Sequence, residues 1–252
     1  MKYLLPILLN AIAITAHADV ATVAVASNFV PVFEKISARF EAETVHEVRL
    51  VGGASGKLYA QILRGAPFDL FLSADSDKPH KLIQAGHAQK TSLATYAIGQ
   101  LALWSNLERS SQWKHRVASD VIAAGEFRRL SIANPAIAPY GLAAQQTLQS
   151  MDLYEELKPT LIVGENVSQV FHFLHSKNAE LGFVSKAQVV SLAKEHQGFY
   201  WPIPNNLHSP IHQAMVLLGQ QPSIAAITLH KFLQSVEVRD MIVHAGYSEF
   251  DS

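Results

Sequence analysis

Cysteine is absent from this 252-residue sequence, and charged residues are scarce. Without cysteine the chain can form neither a disulfide nor a thiolate nucleophile, and no lipid can be attached through a cysteine side chain. Charged residues make up 16% of the chain, and the formal net charge is −1. A nucleic acid is therefore not expected as a partner, because neutralising its phosphates requires a basic surface. Hydrophobic residues, at 49%, are sufficient for a sizeable core.

Long apolar runs are also missing, apart from a short one at the start. Lys2 supplies a positive charge, Leu4–Ala16 is apolar, and Ala16-His17-Ala18 has the small-x-small pattern of a cleavage site. The run is too short to span a bilayer, and no later segment offers about 18 consecutive apolar residues. We expect residues 1–18 to be a cleaved signal peptide. The product, starting at Asp19, would be periplasmic, soluble and monomeric.

Motifs for nucleotide binding, hydrolysis and metal binding are lacking too. Gly52–Leu58 contains Gly-Lys, but its glycine spacing differs from a Walker loop and Leu58 stands where Ser or Thr is required. A serine hydrolase has no support, since no Gly-x-Ser-x-Gly is present. Two histidine pairs have a spacing that could chelate zinc on a helix, but we interpret them as surface residues, because no Glu or Cys stands at ligand spacing. They are His172 with His175, and His208 with His212.

Short β-branched runs alternate with helical patterns along the chain. The predicted strands are Val20–Ala26, Val45–Val51, Leu70–Ser73, Gln100–Trp104, Leu130–Ala133, Leu161–Gly164, Gly182–Val184 and Ile211–Leu218. The predicted helices are Phe29–Glu43, Lys57–Arg64, Leu142–Gln149, Ser168–His175 and Ile224–Val236. This alternation predicts an α/β fold with right-handed crossovers and parallel sheets.

Hydroxyl side chains stand where strands are followed by helices. Ser27-Asn28 ends the first strand and opens the first helix, and Gly52–Gly56, which contains Ser55, precedes the second helix. Free N–H groups and the helix dipole make such a terminus an anion site, and in α/β sheets ligands bind at this edge. Glycine also lets the backbone approach a ligand closely. An alternative stays open, in which Ser27 and Ser55 are ordinary helix caps.

Three segments form a recognisable set: Val25–Asn28, Gly53–Gly56 and Arg64–Asp75, of which the last is the most specific. Together they resemble the periplasmic molybdate-binding proteins of ABC transporters. Weaker matches follow in the same order over nearly the whole mature chain. These are Asn134-Pro135, Pro139–Gly141, Glu165–Val167, Leu181–Val184 and Ala245–Tyr247.

This resemblance implies two doubly wound α/β domains, joined by two crossover segments, that close like a clamshell on an oxyanion (a type II periplasmic binding protein). The crossovers would lie near Thr95–Gln100 and Ile211–Gln213, so that residues 19–95 with 214–252 form one domain and 96–213 the other. The implied function is capture of molybdate or tungstate for the membrane permease of an ABC transporter, with no catalysis and no cofactor. Another anion such as sulfate or chromate, or an exported hydrolase, is the alternative.

The resemblance also implies which residues contact the ligand. Molybdenum or tungsten would be bound only as its oxyanion, and Val167 would contribute its backbone N–H. The implied contacts are Ser27, Asn28, Ser55, Tyr140 and Val167.

One departure from many relatives concerns the pocket tyrosine. Many of them have a tyrosine directly after the Gly-x-Val strand, where this chain has Ser185, and alanine where it has Tyr140. We therefore expect the phenol to enter the pocket from the opposite side. A pocket that offers only donors would also disfavour hydrogen phosphate, whose proton would find no acceptor.

Overall fold

The computed structural model describes residues 18–106, 113, 116–196 and 198–249. The predicted signal peptide lies outside these residues, apart from Ala18. Within them the strands are β1 (Val20–Ala26), β2 (Glu47–Gly53), β3 (Leu70–Leu72), β4 (Ala94–Gly99), β5 (Leu101–Ser105), β6 (Leu130–Ala133), β7 (Leu161–Gly164), β8 (Leu181–Ser185), β9 (Phe199–Pro202) and β10 (Ile211–Leu217). The helices are α1 (Val30–Glu43), α2 (Ser55–Leu63), α3 (Asp77–Gln84), α4 (Ala118–Ala124), α5 (Pro139–Ser150), α6 (Tyr154–Leu157), α7 (Val167–His175), α8 (Lys186–Val190), α9 (Ile224–Phe232) and α10 (Val236–His244). None of these helices has the length and apolar character needed to cross a membrane.

The first sheet has five strands in the order β2-β1-β3-β10-β4. Strand β1 is parallel to both β2 and β3, whereas β10 is antiparallel to β3 and β4. Successive side chains of a strand point to opposite faces. Val23 and Val25 accordingly pack with Phe33 of α1, while Ala24 packs with Leu58 of α2 on the other face. Helices therefore cover both faces of this sheet.

The second sheet repeats this plan with the order β7-β6-β8-β5-β9. Strand β6 is parallel to β7 and β8, and β5 is antiparallel to β8 and β9. One apolar core includes Trp104 and Phe183 of the sheet together with Leu148 of α5 and Val170 of α7. The two sheets thus form two α/β units, each with its own core.

Some details differ from the sequence-based predictions. Both sheets are mixed rather than parallel, because β10 runs antiparallel to its neighbours in the first sheet and β5 does so in the second. The predicted last helix, Ile224–Val236, ends at Phe232, and a separate helix, α10, begins at Val236, where the Ser235 side chain accepts a hydrogen bond from the Val238 N–H. Sequence patterns missed α3, whose buried side chains are only Pro79 and Leu82. They also missed β4, β9, α4, α6, α8 and α10.

The chain passes between the sheets twice. The first passage is at Gln100, between β4 and β5, and the second lies in residues 203–210, between β9 and β10. Strand β4 and the whole of β10 belong to the first sheet. The division into residues 19–95 with 214–252 and 96–213 stays a prediction about domains.

Candidate functional site

A small cavity lies between the two α/β units, at the edge where the strands end and helices begin. The space open to the centre of a water molecule is only about 10 Å³, roughly one water-sized sphere, so the cavity cannot hold a drug-sized organic ligand. Its walls are Ala26, Ser27, Asn28, Gly53, Ala54, Ser55, Ala74, Ala138, Pro139, Tyr140, Asn166 and Val167. All five residues that the sequence implied as ligand contacts are in this set, and no residue in it carries a charge.

Helix N-termini from both units point at the cavity. Ser55 is the first residue of α2, Tyr140 the second of α5 and Val167 the first of α7. Backbone N–H groups in the first turn have no acceptor within their helix, and the helix dipole adds positive potential there. The cavity therefore offers several fixed donors without any cationic side chain, which suits a small anion.

The serines are not helix caps, contrary to the alternative left open above. The N-cap residues of α1 and α2 are Phe29 and Ala54, and neither makes a side-chain capping bond. Ser55 Oγ instead accepts a hydrogen bond from the Ala74 N–H at 3.0 Å, which leaves its own proton free to donate. The Ser27 N–H donates to the Gly53 carbonyl at 2.9 Å, which holds Ser27 at the cavity wall.

Asn28 lies in the turn before α1, because that helix begins at Val30 rather than at Asn28. Its side chain is buried, and both side-chain N–H bonds have partners within the protein. Nδ2 donates to Gln213 Oε1 at 2.8 Å and to the Tyr247 hydroxyl at 3.1 Å. The Tyr247 hydroxyl in turn donates to the Asn28 carbonyl at 3.0 Å. The asparagine amide is thus tied into the protein behind the cavity.

Tyr140 is almost fully buried and reaches the same region from the second unit. Its phenol oxygen accepts from Ser185 Oγ at 3.2 Å and from Gln213 Nε2 at 3.5 Å. Burial raises the pKa of Tyr140 above its ordinary value, and the hydrogen bonds offset only part of this effect. The phenol therefore stays protonated at neutral pH. Ser185 stands behind Tyr140 and is not part of the cavity wall.

Sequence reasoning missed Gln213 and Tyr247 as members of this region. Gln213 is fully buried within β10, an otherwise largely apolar strand. A glutamine in such a strand is a signal that could have been used, because a buried amide needs several partners. Tyr247 was included in the resemblance but given no role.

Contacts between the two units enclose the cavity. The Gly56 N–H donates to the Ile137 carbonyl at 2.8 Å, and a Cβ atom at position 56 would lie 2.9 Å from Ile137 Cα. Only glycine permits this approach. At the surface, Lys57 Nζ lies 3.0 Å from Glu165 Oε1. The structure is therefore that of a closed cleft.

The described residues contain no group of three or more His, Asp or Glu side chains that could hold a metal ion. Of the four histidines considered above, His172, His175 and His212 are exposed as expected, whereas His208 is buried, so its interpretation as a surface residue is wrong.

A polar cavity closed between two α/β units defines a solute-binding protein. Residues 21–248 match the family described as bacterial extracellular solute-binding protein, and the chain belongs to that family. The molybdate-binding protein ModA of Rhodobacter capsulatus is 37% identical over 241 residues, which cover 95% of this chain and 92% of the relative. ModA of Azotobacter vinelandii is 38% identical over 240 residues, covering 94% and 92%.

A solved structure agrees with this assignment. The periplasmic molybdate-binding protein of Azotobacter vinelandii has a TM-score of 0.85 to this chain at 34% identity, covering 92% of this chain and 100% of that one. The resemblance and the fold class inferred from the sequence are therefore confirmed. These relatives are binding proteins and not enzymes.

Proposed function

We propose that this protein binds a dianionic tetrahedral oxyanion, molybdate or tungstate, and delivers it to the permease of an ABC transporter. The observation that carries the proposal is the cavity itself, which is lined by three helix N-termini and by hydroxyl groups and has no charged side chain. The contacts would come from Ser27, Ser55, Tyr140 and Val167, and from the backbone rather than the side chain of Asn28, whose amide N–H groups are used behind the cavity. Relatives with 37–38% identity that are named for molybdate binding support the choice of ligand.

Neutral donors are well suited to a buried dianion. Hydrogen bonds to a charged acceptor are about twice as strong as neutral ones, so a small number can replace the lost hydration shell. A buried Lys or Arg would itself have to lose its water, at a cost of several kcal/mol for each ion. The fixed N–H groups avoid that cost.

Selectivity follows from protonation and from size. Hydrogen phosphate carries a proton that needs an acceptor, and an unpartnered buried polar group costs about 1–3 kcal/mol. Sulfate has the charge and shape of molybdate but is smaller, so the fixed donors would not all reach it. Tungstate is close to molybdate in size and would bind similarly.

Export and release complete the proposal. Residues 1–18 would be removed as a signal peptide, and the monomer would open by rotation about Gln100 and residues 203–210, a hinge motion that separates the cavity walls. Opening would break the Gly56–Ile137 and Lys57–Glu165 contacts.

Thermal unfolding with different anions tests the proposal. A ligand that binds only the folded state stabilises it by about 2.7 kcal/mol at a hundredfold excess over its dissociation constant. We expect micromolar molybdate to raise Tm and equimolar phosphate to leave it unchanged. Equal shifts with both anions would contradict a cavity that offers only donors, and a larger shift with sulfate would contradict molybdate as the ligand.

A further inference from the structure

A buried polar network lies directly behind the cavity, and Gln213 is at its centre. This residue is fully buried at a bulge of β10, where the pairing with β4 shifts register. Its Oε1 accepts from Asn28 Nδ2 at 2.8 Å and lies 3.0 Å from the Tyr96 hydroxyl, both in the first unit. The Tyr96 hydroxyl shares its single proton with the Ser73 carbonyl, which is also 3.0 Å away. Its Nε2 donates to the Tyr140 phenol oxygen, in the second unit, at 3.5 Å. One amide therefore connects both walls of the cavity.

Asn28 orients the Gln213 amide. Asn28 Nδ2 can only donate, so the amide end that faces it must be the oxygen. Asn28 cannot turn its own amide over without losing a second bond, because Nδ2 also donates to the Tyr247 hydroxyl at 3.1 Å. Gln213 must then present its N–H₂ group to Tyr140.

This arrangement determines what the Tyr140 hydroxyl can do. The phenol oxygen accepts from Gln213 Nε2 and also from Ser185 Oγ, so both donors approach it from the protein side. The backbone of Gly99 lies against the Tyr140 hydroxyl so closely that a Cβ atom at position 99 would overlap it. The phenol proton is therefore left for an acceptor inside the cavity that Tyr140 lines.

We infer that Gln213 is a positioning residue for ligand binding: it holds the Tyr140 phenol as a donor directed at the oxyanion. Gln213 does not line the cavity and acts through Tyr140. The inference depends on the proposed function, since it assumes that the cavity holds an oxyanion.

A double-mutant cycle tests this inference. The dissociation constant for molybdate is measured by isothermal titration for the wild type, Gln213→Met, Tyr140→Phe and the double variant. Methionine keeps the length of the side chain and removes both hydrogen-bonding ends. We expect Gln213→Met to weaken binding about 3- to 10-fold when Tyr140 is present and less than about 2-fold in the Tyr140→Phe background.

A matched control and a second variant separate positioning from stability. Thr147→Val removes a buried hydrogen bond to the Ala143 carbonyl within α5, the helix that carries Tyr140, without touching the network. It should lower Tm and leave the affinity unchanged. If Gln213→Met does not fold, Gln213→Glu is used, because it keeps an acceptor for Asn28 and replaces the donor that faces Tyr140 by a carboxyl oxygen. Any effect of the added negative charge on a dianion should be the same in both backgrounds.

With Gln213→Glu, binding should again fall more in the Tyr140 background than in the Tyr140→Phe background. For either variant, an equal loss in both backgrounds, or no loss at all, would overturn the inference. An equal loss would mean that Gln213 acts through Asn28 or through charge. Failure of the wild type to bind molybdate would overturn the proposed function as well, so the two failures are distinguishable.

Discussion

Replacing Ser55 by alanine should weaken oxyanion binding strongly, and the structure also requires a cost in stability. In the closed cleft Ser55 Oγ accepts from the buried Ala74 N–H, and its proton remains for the ligand. Ser55→Ala removes both interactions. A hydrogen bond to a charged group is worth about 1.5–3 kcal/mol, which corresponds to about 10- to 150-fold in affinity. The orphaned Ala74 N–H should cost about 1–3 kcal/mol of folding stability.

Ser92→Ala is a matched control for this prediction. Ser92 Oγ is also buried and also accepts a backbone N–H, from Leu217 at 2.9 Å, but it lies outside the cavity wall. Ser92 Oγ also donates to the Gln89 carbonyl at 2.7 Å, so Ser92→Ala should lower Tm at least as much as Ser55→Ala. Only Ser55→Ala should lose affinity for molybdate in isothermal titration. If its dissociation constant rises no more than that of Ser92→Ala, the assignment of Ser55 as a ligand contact is wrong.

The remaining predictions concern pH, the pocket tyrosine and closure. Burial lowers the pKa of His230, so the folded state favours the neutral imidazole. The contribution of neutral His230 to folding stability should therefore be complete above about pH 6.5 and be lost as the pH falls below that value. Urea unfolding at several pH values should accordingly show a weaker loss of stability in acid for His230→Gln than for the wild type. Tyr140→Ala should bind molybdate poorly. Adding Ser185→Tyr should restore part of the affinity, because the hydroxyls of Tyr140 and Ser185 are 3.2 Å apart in the wild type. Strictly additive losses in titration would contradict the expectation that a tyrosine at either position places its hydroxyl in the same cavity. Lys57→Ala should weaken binding by less than about 5-fold, and less still at high salt, because its ion pair with Glu165 is exposed; titration at two salt concentrations checks this.

Local patterns were sufficient to predict much of the fold. The run Val20–Ala26 was predicted as a strand with the bounds that the structure gives, and Leu130–Ala133 and Leu161–Gly164 were equally well placed. These strands are short β-branched segments bounded by polar residues or glycine, so their ends are visible in the sequence. Strand direction was not visible, because it depends on where the chain re-enters a sheet. The sequence therefore did not predict that β10 is antiparallel to its neighbours.

The cavity wall was predicted better than its support. Ser27 and Ser55 stand at strand-to-helix turns, which the sequence displays, and Tyr140 and Val167 followed from the resemblance to a family. Gln213 was missed because its partners are far away along the chain: its bonds to Asn28 and Tyr96 span 185 and 117 positions. No local pattern encodes such contacts. They arise only when β10 returns to the first sheet after the chain has passed through the second unit.

The most direct test of the central claim is native mass spectrometry of the purified protein after exposure to equal concentrations of molybdate, sulfate and phosphate. The wild type should carry one molybdate per chain, whereas Ser55→Ala should carry much less at the same concentrations. A wild-type protein that retains phosphate or sulfate in preference to molybdate, or retains no oxyanion at all, would contradict the account.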